Sequence, residues 1–149
     1  MPRVTIASPP VRRQFESSDS ATRERMRHVS SRNTKLEQVV RTFLRKQGVK
    51  FSCRNKHLPG KPDIVFRKER TVLFVHGCFW HAHLKCKKGV VRPRKNKSFW
   101  EQKLLYNRAK DKRVESELRR EGWKVFVLWE CETKDFKPLK SLVTRLHAE

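Results

Sequence analysis

Two apolar runs of this 149-residue chain end in side chains that do chemistry. Pro62-Asp63 opens the first, and the second runs into Val75-His76-Gly77-Cys78-Phe79-Trp80-His81-Ala82-His83, with Cys86 following. Carboxylate and imidazole suit hydrolytic metal chemistry, thiolate with imidazole suits structural zinc, and exposed aromatics suit stacking on bases. Asp63 starts a buried strand, where an uncompensated carboxylate is costly. Taken alone it reads as a turn aspartate satisfied by neighbouring N–H groups. A hairpin would instead bring it near Val75, whose main-chain carbonyl could share a Mg²⁺ with the carboxylate, waters and a DNA phosphate filling the remaining positions. Glu37, on the first turn of a candidate helix, is placed to hold one of those waters. His76, His81 and His83 fall within eight residues, and imidazole is the usual general base near neutral pH, so at least one is expected to be catalytic.

A second set is softer. Cys78, His83 and Cys86 are compactly spaced, and Cys131 closes an apolar run, Trp123–Trp129, that could return beside them. Four such ligands make a closed tetrahedral zinc site, although the spacing is not that of a standard finger. The plainer alternative makes Cys78 and Cys131 small core residues, and Cys53 reads as packing. Phe79 and Trp80 sit among these ligands in a loop, and Trp100 opens a helix after a basic stretch. Aromatics flanked by positive charge can unstack base steps. Trp100 packed under its own helix is the competing reading, and Trp123 with Trp129 are expected in the core.

The charge narrows the partner. With 37 Lys plus Arg against 15 Asp plus Glu, the net charge is +22. That imbalance points to a polyanion, nucleic acid first. A packaging protein would share the charge but has no use for the His and Cys cluster. No apolar run approaches ~20 residues, which argues against a membrane. The polar start of the chain and four irregularly spaced cysteines argue for a reduced, cytosolic setting over a disulfide framework.

These residues need elements to hold them. Residues 1–30 read as a basic arm expected to order on DNA, and 31–149 as one domain. Thr34-Lys35-Leu36-Glu37 is a capping-box pattern, and Leu36, Val39, Val40, Phe43 and Leu44 recur at helical spacing up to Gly48. Lys50–Cys53 is a short apolar run. Ile64–Phe66 and Val72–Val75 read as a hairpin turning at Arg67–Arg70. From Lys85 to Lys97 there is no acidic residue, and Gly89 and Pro93 argue against a helix. Ser98-Phe99-Trp100-Glu101 repeats the capping pattern and opens a long helix that stops at Gly122. Trp123–Trp129 then joins the sheet as a crossover strand, and a last helix from about Lys137 to His147 buries Leu139, Leu142, Val143 and Leu146. The sum is an α/β fold, a mixed sheet flanked by helices.

At this point the chain resembles the very-short-patch-repair (Vsr) mismatch endonuclease family over roughly residues 24 to 135. The resemblance is carried by Arg32-Asn33-Thr34 with Glu37, Leu58-Pro59-Gly60-Lys61-Pro62-Asp63-Ile64-Val65-Phe66, Phe74 through His81, Phe99-Trp100 with Lys103 and Asn107, and Gly122-Trp123 through Trp129-Glu130. It implies a restriction-endonuclease-like fold and a Mg²⁺-dependent nick 5′ to the thymine of a T:G mismatch, the product of 5-methylcytosine deamination. It further implies Asp63 and the Val75 carbonyl as Mg²⁺ ligands, His81 as the base, and Glu37 and His76 as supports through water and phosphate. Phe79, Trp80 and Trp100 would form the wedge, Lys103 and Asn107 would touch the mismatched pair, and Cys78, His83, Cys86 and Cys131 would hold structural Zn²⁺. A monomer at the bacterial nucleoid is expected, with mismatch-repair proteins as possible partners. A lysine usual beyond the Pro-Asp in nucleases of that fold is missing, since Val75-His76-Gly77 stands in its place. Two readings compete: a restriction-type or homing nuclease cutting matched DNA, and a non-catalytic zinc-containing DNA-binding module.

Overall fold

In a computed structural model, residues 33–149 are described, so the arm expected over residues 1–30 lies outside them. Thr34 caps α1 (Lys35–Lys46), its hydroxyl accepting the Glu37 N–H at 3.2 Å. The reciprocal arm of the box is displaced by one residue, because the Glu37 carboxylate takes the N–H of Asn33 (2.9 Å). Val40 and Leu44 face inward, and Gly48, at φ +69°, ends the turn.

The run from Lys50 to Cys53 makes no strand of its own; Ser52 bridges Val65 at a single point. Cys53 is exposed, not packed. β1 (Ile64–Phe66) and β2 (Thr71–His76) form the expected antiparallel hairpin, with Ile64 opposite Leu73. A one-turn helix, α2 (Lys87–Val90), occupies the basic stretch where Gly89 and Pro93 argue against one. Gly89 serves contact there: an added Cβ would meet the His83 carbonyl oxygen at 1.8 Å. The long helix α3 spans Lys97–Arg120, starting before Ser98 because the Asn96 carbonyl, not a serine side chain, receives the Trp100 N–H (3.1 Å). β3 (Lys124–Trp129) pairs parallel with β2, from Thr71 opposite Lys124 to His76 opposite Trp129. A 3₁₀ turn (Glu130–Lys134) and α4 (Lys137–Ala148) follow.

The sheet is thus β1-β2-β3, mixed, with a helical layer on each face. Successive strand residues point to opposite faces. Ile64, Phe66, Leu73 and Leu128 pack with Val40 and Leu44 of α1 and with Leu139, Leu142, Val143 and Leu146 of α4. Val65, Val72 and Phe74 pack on the other side with Leu118 of α3. The same alternation sends Asp63, His76 and Trp129 to the α3 side at one end of the sheet. Trp123 is half-buried under Arg70, whose guanidinium lies 5.0 Å from the ring. Trp129 is also only half-buried, so it is not the core residue the sequence suggests. No helix among the described residues is long and apolar enough to cross a membrane.

Candidate active site and metal cluster

That end of the sheet opens into a cleft of about 1540 Å³, lined among others by Glu37, Asp63, His76, His81, Asn107 and Asp111. Asp63 Oδ2 accepts the Val75 N–H at 2.7 Å across the hairpin. In an antiparallel strand the N–H and C=O of one residue face the same neighbour, so the Val75 carbonyl leaves β2 on the Asp63 side, beyond Ile64, the first residue of β1. Burial is the main reason the Asp63 carboxyl is raised from 3.8 to about 6; the Val75 bond opposes that rise and the nearby Glu37 adds to it. Glu37 is 6% exposed and held by Arg41 (3.2 Å) and Thr34 (3.3 Å), so its charge is paired inside the cleft.

Gly77 through His83 is coiled into consecutive turns: His81 N–H bonds Gly77 C=O, Ala82 N–H bonds Phe79 C=O, and His83 N–H bonds Cys78 C=O (2.9–3.2 Å). Ala82, at φ +50°, reverses the chain between the two histidines, so they serve different sites. His81 Nδ1 lies 2.7 Å from Asp111 Oδ2. A carboxylate can only accept, so Nδ1 carries a proton, and in the neutral imidazole this leaves the lone pair on Nε2. His76 stacks on His81 with ring centres 3.8 Å apart and planes 2° apart. Burial first, and the neighbouring His81 second, push His76 down to about 4, so it is neutral beside the His81 ring.

Sequence reasoning missed Asp111. Its signal lay in spacing: Lys103, Asn107 and Asp111 follow at four-residue steps, which is one face of a helix. Asn107 Nδ2 donates to the Trp80 carbonyl (2.8 Å), so one face of α3 grips both the peptide before His81 and the His81 ring. Phe79, Trp80 and Trp100 meet pairwise at 5.3–5.7 Å. Trp100 is 8% exposed and floors this group, whereas Phe79 and Trp80 are half-buried at the surface.

The second set converges too. Donor atoms of Cys78, His83, Cys86 and Cys131 lie within 4.8 Å of one another. His83 Nδ1 is 3.6 Å from Cys78 Sγ and 3.4 Å from Cys131 Sγ. A tetrahedral ion ~2.3 Å from sulfur and ~2.05 Å from nitrogen would set those atoms ~3.6 Å apart, so the residues fit such an ion. Burial pushes the Cys78 thiol up, and a bound cation would reverse that. Glu130 takes the Cys78 N–H (3.3 Å) and the Lys88 ammonium (2.6 Å), which pulls its own carboxyl down.

A shielded carboxylate beside the Val75 carbonyl, with a histidine–aspartate pair in the same cleft of a strongly basic chain, is the equipment of an enzyme that hydrolyses nucleic-acid phosphodiesters. Comparison with known proteins agrees. Residues 16–88 match the family model described as DNA mismatch endonuclease Vsr. The chain is 38% identical over 131 residues to the DNA mismatch endonuclease Vsr of Escherichia coli, covering 86% of this chain and 83% of that one. It is 47% identical over 116 residues to the type II nicking enzyme V.XorIIP of Xanthomonas oryzae pv. oryzae, covering 78% and 84%. The type II nicking enzyme V.NmeAIP of Neisseria meningitidis is 43% identical over 124 residues, covering 83% and 87%. The chain belongs to the Vsr family of DNA endonucleases.

Proposed function

We propose that this enzyme nicks one strand of duplex DNA 5′ to the thymine of a T:G mismatch, acting in the bacterial cytoplasm as a monomer with a restriction-endonuclease-like fold. The observation that carries the hydrolytic part is the His81–Asp111 pair, 2.7 Å apart, opening into the cleft that holds Asp63. Asp63 and the Val75 carbonyl would hold Mg²⁺, which supplies charge neutralisation at the scissile phosphate and its transition state. Asp111 fixes the His81 ring and its tautomer, leaving Nε2 to take a proton from the attacking water. The bond from phosphorus to the 3′-oxygen then breaks, and that oxygen takes a proton from solvent water, leaving a 5′-phosphate and a 3′-hydroxyl. Neutral His76 stacks on the imidazolium that forms and adds no opposing charge. Glu37, clamped by Arg41, positions water on the metal side.

The mismatch part rests on the family and on the aromatic group. Phe79 and Trp80, backed by Trp100, would enter the stack beside the mismatch, where weaker pairing lowers the cost of unstacking. Lys103 and Asn107 flank that point on α3 and would read the pair. Cys78, His83, Cys86 and Cys131 would hold Zn²⁺ as a structural ion. The test is a nicking assay on T:G, G:C, A:T and other mismatched duplexes, with and without Mg²⁺. Cleavage confined to the T:G thymine strand and dependent on Mg²⁺ is expected. Equal nicking of matched duplexes would replace this reading with that of a restriction-type nickase, and tight binding without nicking would leave only a binding module.

A further inference from the structure

His76 is 6% exposed, and its Nδ1 is buried with no hydrogen-bond partner. That nitrogen does nothing to fix the ring, so its placement rests on the rings around it. His81 covers one face. Phe74 tilts against it at 5.7 Å, and Trp129 meets it edge-on at 5.3 Å and 72°. Trp129 is directly opposite His76 in the β2–β3 register, which is why the two share a face of the sheet. The indole also meets the His81 ring edge-on, at 6.5 Å and 70°, and it stacks on His83 of the cysteine–histidine cluster at 4.2 Å and 9°. Two residues further on stands Cys131. The Trp129 N–H is taken by the Glu132 carboxylate (2.9 Å), which pins the strand end.

A continuous series of rings therefore runs from the soft-ligand cluster to the base. His83 lies flat on Trp129, Trp129 abuts His76, and His76 lies flat on His81, whose far side is held by Asp111. We infer that Trp129 is a positioning residue that ties the placement of the His76–His81 pair to the filling of the Cys78–His83–Cys86–Cys131 cluster. This rests on the reading of that cluster as a zinc site and of His81 as the base. An ion at His83 Nδ1 fixes the plane of that imidazole. The indole stacked on it is then fixed, and so is the edge it presents to His76. An empty cluster leaves His83 free to turn, and the disturbance reaches the base through the indole. Residues that orient a site from behind its direct participants are typically worth ~10–100-fold in activity.

The test uses the full chain, reloaded with Co²⁺, whose visible bands report a tetrahedral thiolate site independently of nicking. Trp129→Phe keeps an aromatic face and edge, whereas Trp129→Leu keeps apolar bulk without either. Single-turnover nicking of a T:G duplex at saturating enzyme is measured beside the Kd for that duplex in Ca²⁺. Trp129→Phe is expected within ~3-fold of the parent in rate. Trp129→Leu is expected to keep the Co²⁺ bands and a Kd within ~3-fold, while its single-turnover rate falls ~10–100-fold. A parental rate in Trp129→Leu overturns the inference. So does joint loss of the Co²⁺ bands and the rate, which would make Trp129 a support of the cluster alone. Two controls leave Trp129 untouched: absence of tetrahedral bands in the parent, or a parental rate in His81→Ala, would remove the zinc or base reading itself.

Discussion

Replacing Asp63 by asparagine should make the metal-free protein more stable near neutral pH while removing its activity. The Asp63 carboxyl sits in the cleft with its pKa raised from 3.8 to about 6, chiefly by burial. A raised carboxyl favours the neutral form in the folded state. As pH rises from about 4 to about 6, the unfolded chain releases this proton while the folded chain still holds it. Stability falls across that window, and above it the folded state carries the whole cost. At 1.36 kcal/mol per pKa unit the cost is roughly 3 kcal/mol. Asparagine does not titrate, and its amide oxygen can accept the Val75 N–H as the neutral carboxyl does; the stronger bond of the carboxylate is already contained in the raised value. The net expected gain at about pH 7.5 is therefore ~3 kcal/mol, or ~6–12 °C in Tm for a domain of this size. At about pH 4 the gain disappears, because the parent is then neutral at this position too. Urea unfolding followed by circular dichroism, at both pH values in Mg²⁺-free buffer, measures the difference. Added Mg²⁺ should stabilise the parent and leave Asp63→Asn unmoved, because binding the folded state alone is what shifts stability. An Asp63→Asn protein no more stable than the parent at about pH 7.5, or a gap that does not change with pH, would refute the argument.

Further outcomes follow from single contacts. Asp111→Asn replaces an acceptor-only carboxylate with an amide whose NH₂ can donate to His81 Nδ1 and select the other tautomer, so single-turnover nicking should drop ~10²–10⁴-fold with DNA affinity unchanged, as a gel-shift titration beside the rate would show. Gly89→Ala places a methyl 1.8 Å from the His83 carbonyl oxygen, a main-chain atom, so metal analysis should find the cluster depleted and Tm lowered. Gly48→Ala, with open space but φ +69°, should cost only ~1 kcal/mol and leave metal content intact. Ala82→Gly relieves a left-handed alanine at φ +50° and should raise stability by up to ~1 kcal/mol in urea unfolding, whereas Ala82→Val should lower it.

Much of this architecture was legible because it rests on short-range rules. The periodicity of Leu36 to Leu44, the unbroken apolar runs Ile64–Phe66 and Val72–Val75, buried on both faces, and the stop at Gly122 each reflect local physics that the structure repeats. The soft-ligand quartet was legible for a different reason: thiols and imidazoles are scarce, so their near-coincidence along the chain carries information. Asp111 was not, since an acid amid lysines on a long helix reads as a solvated charge until the helix face is known. Trp129 was misassigned to the core because hydrophobicity cannot tell a ring buried by aliphatic residues from one sandwiched between histidines. Cys53 was expected to pack, yet the bridging segment around Ser52 is too short to cover it. The start of α3 at Lys97 was hidden because its first turn is closed by the Asn96 carbonyl, a contact with no side-chain signature.

The face of α3 that carries Lys103, Asn107 and Asp111 has an evolutionary consequence. A helix advances ~1.5 Å and turns ~100° per residue, so these side chains stand ~6 Å apart along a rail that cannot be stretched. Inserting or deleting one residue between Asn107 and Asp111 would swing the aspartate away from His81 while leaving the recognition end in place. If Lys103 and Asn107 read the mismatched pair, new base preferences are open to this scaffold through exchanges of side chain at the Lys103 end. Changes of spacing are closed to it, and a family built on this rail should diversify in what it reads while keeping the distance from reading to cutting constant.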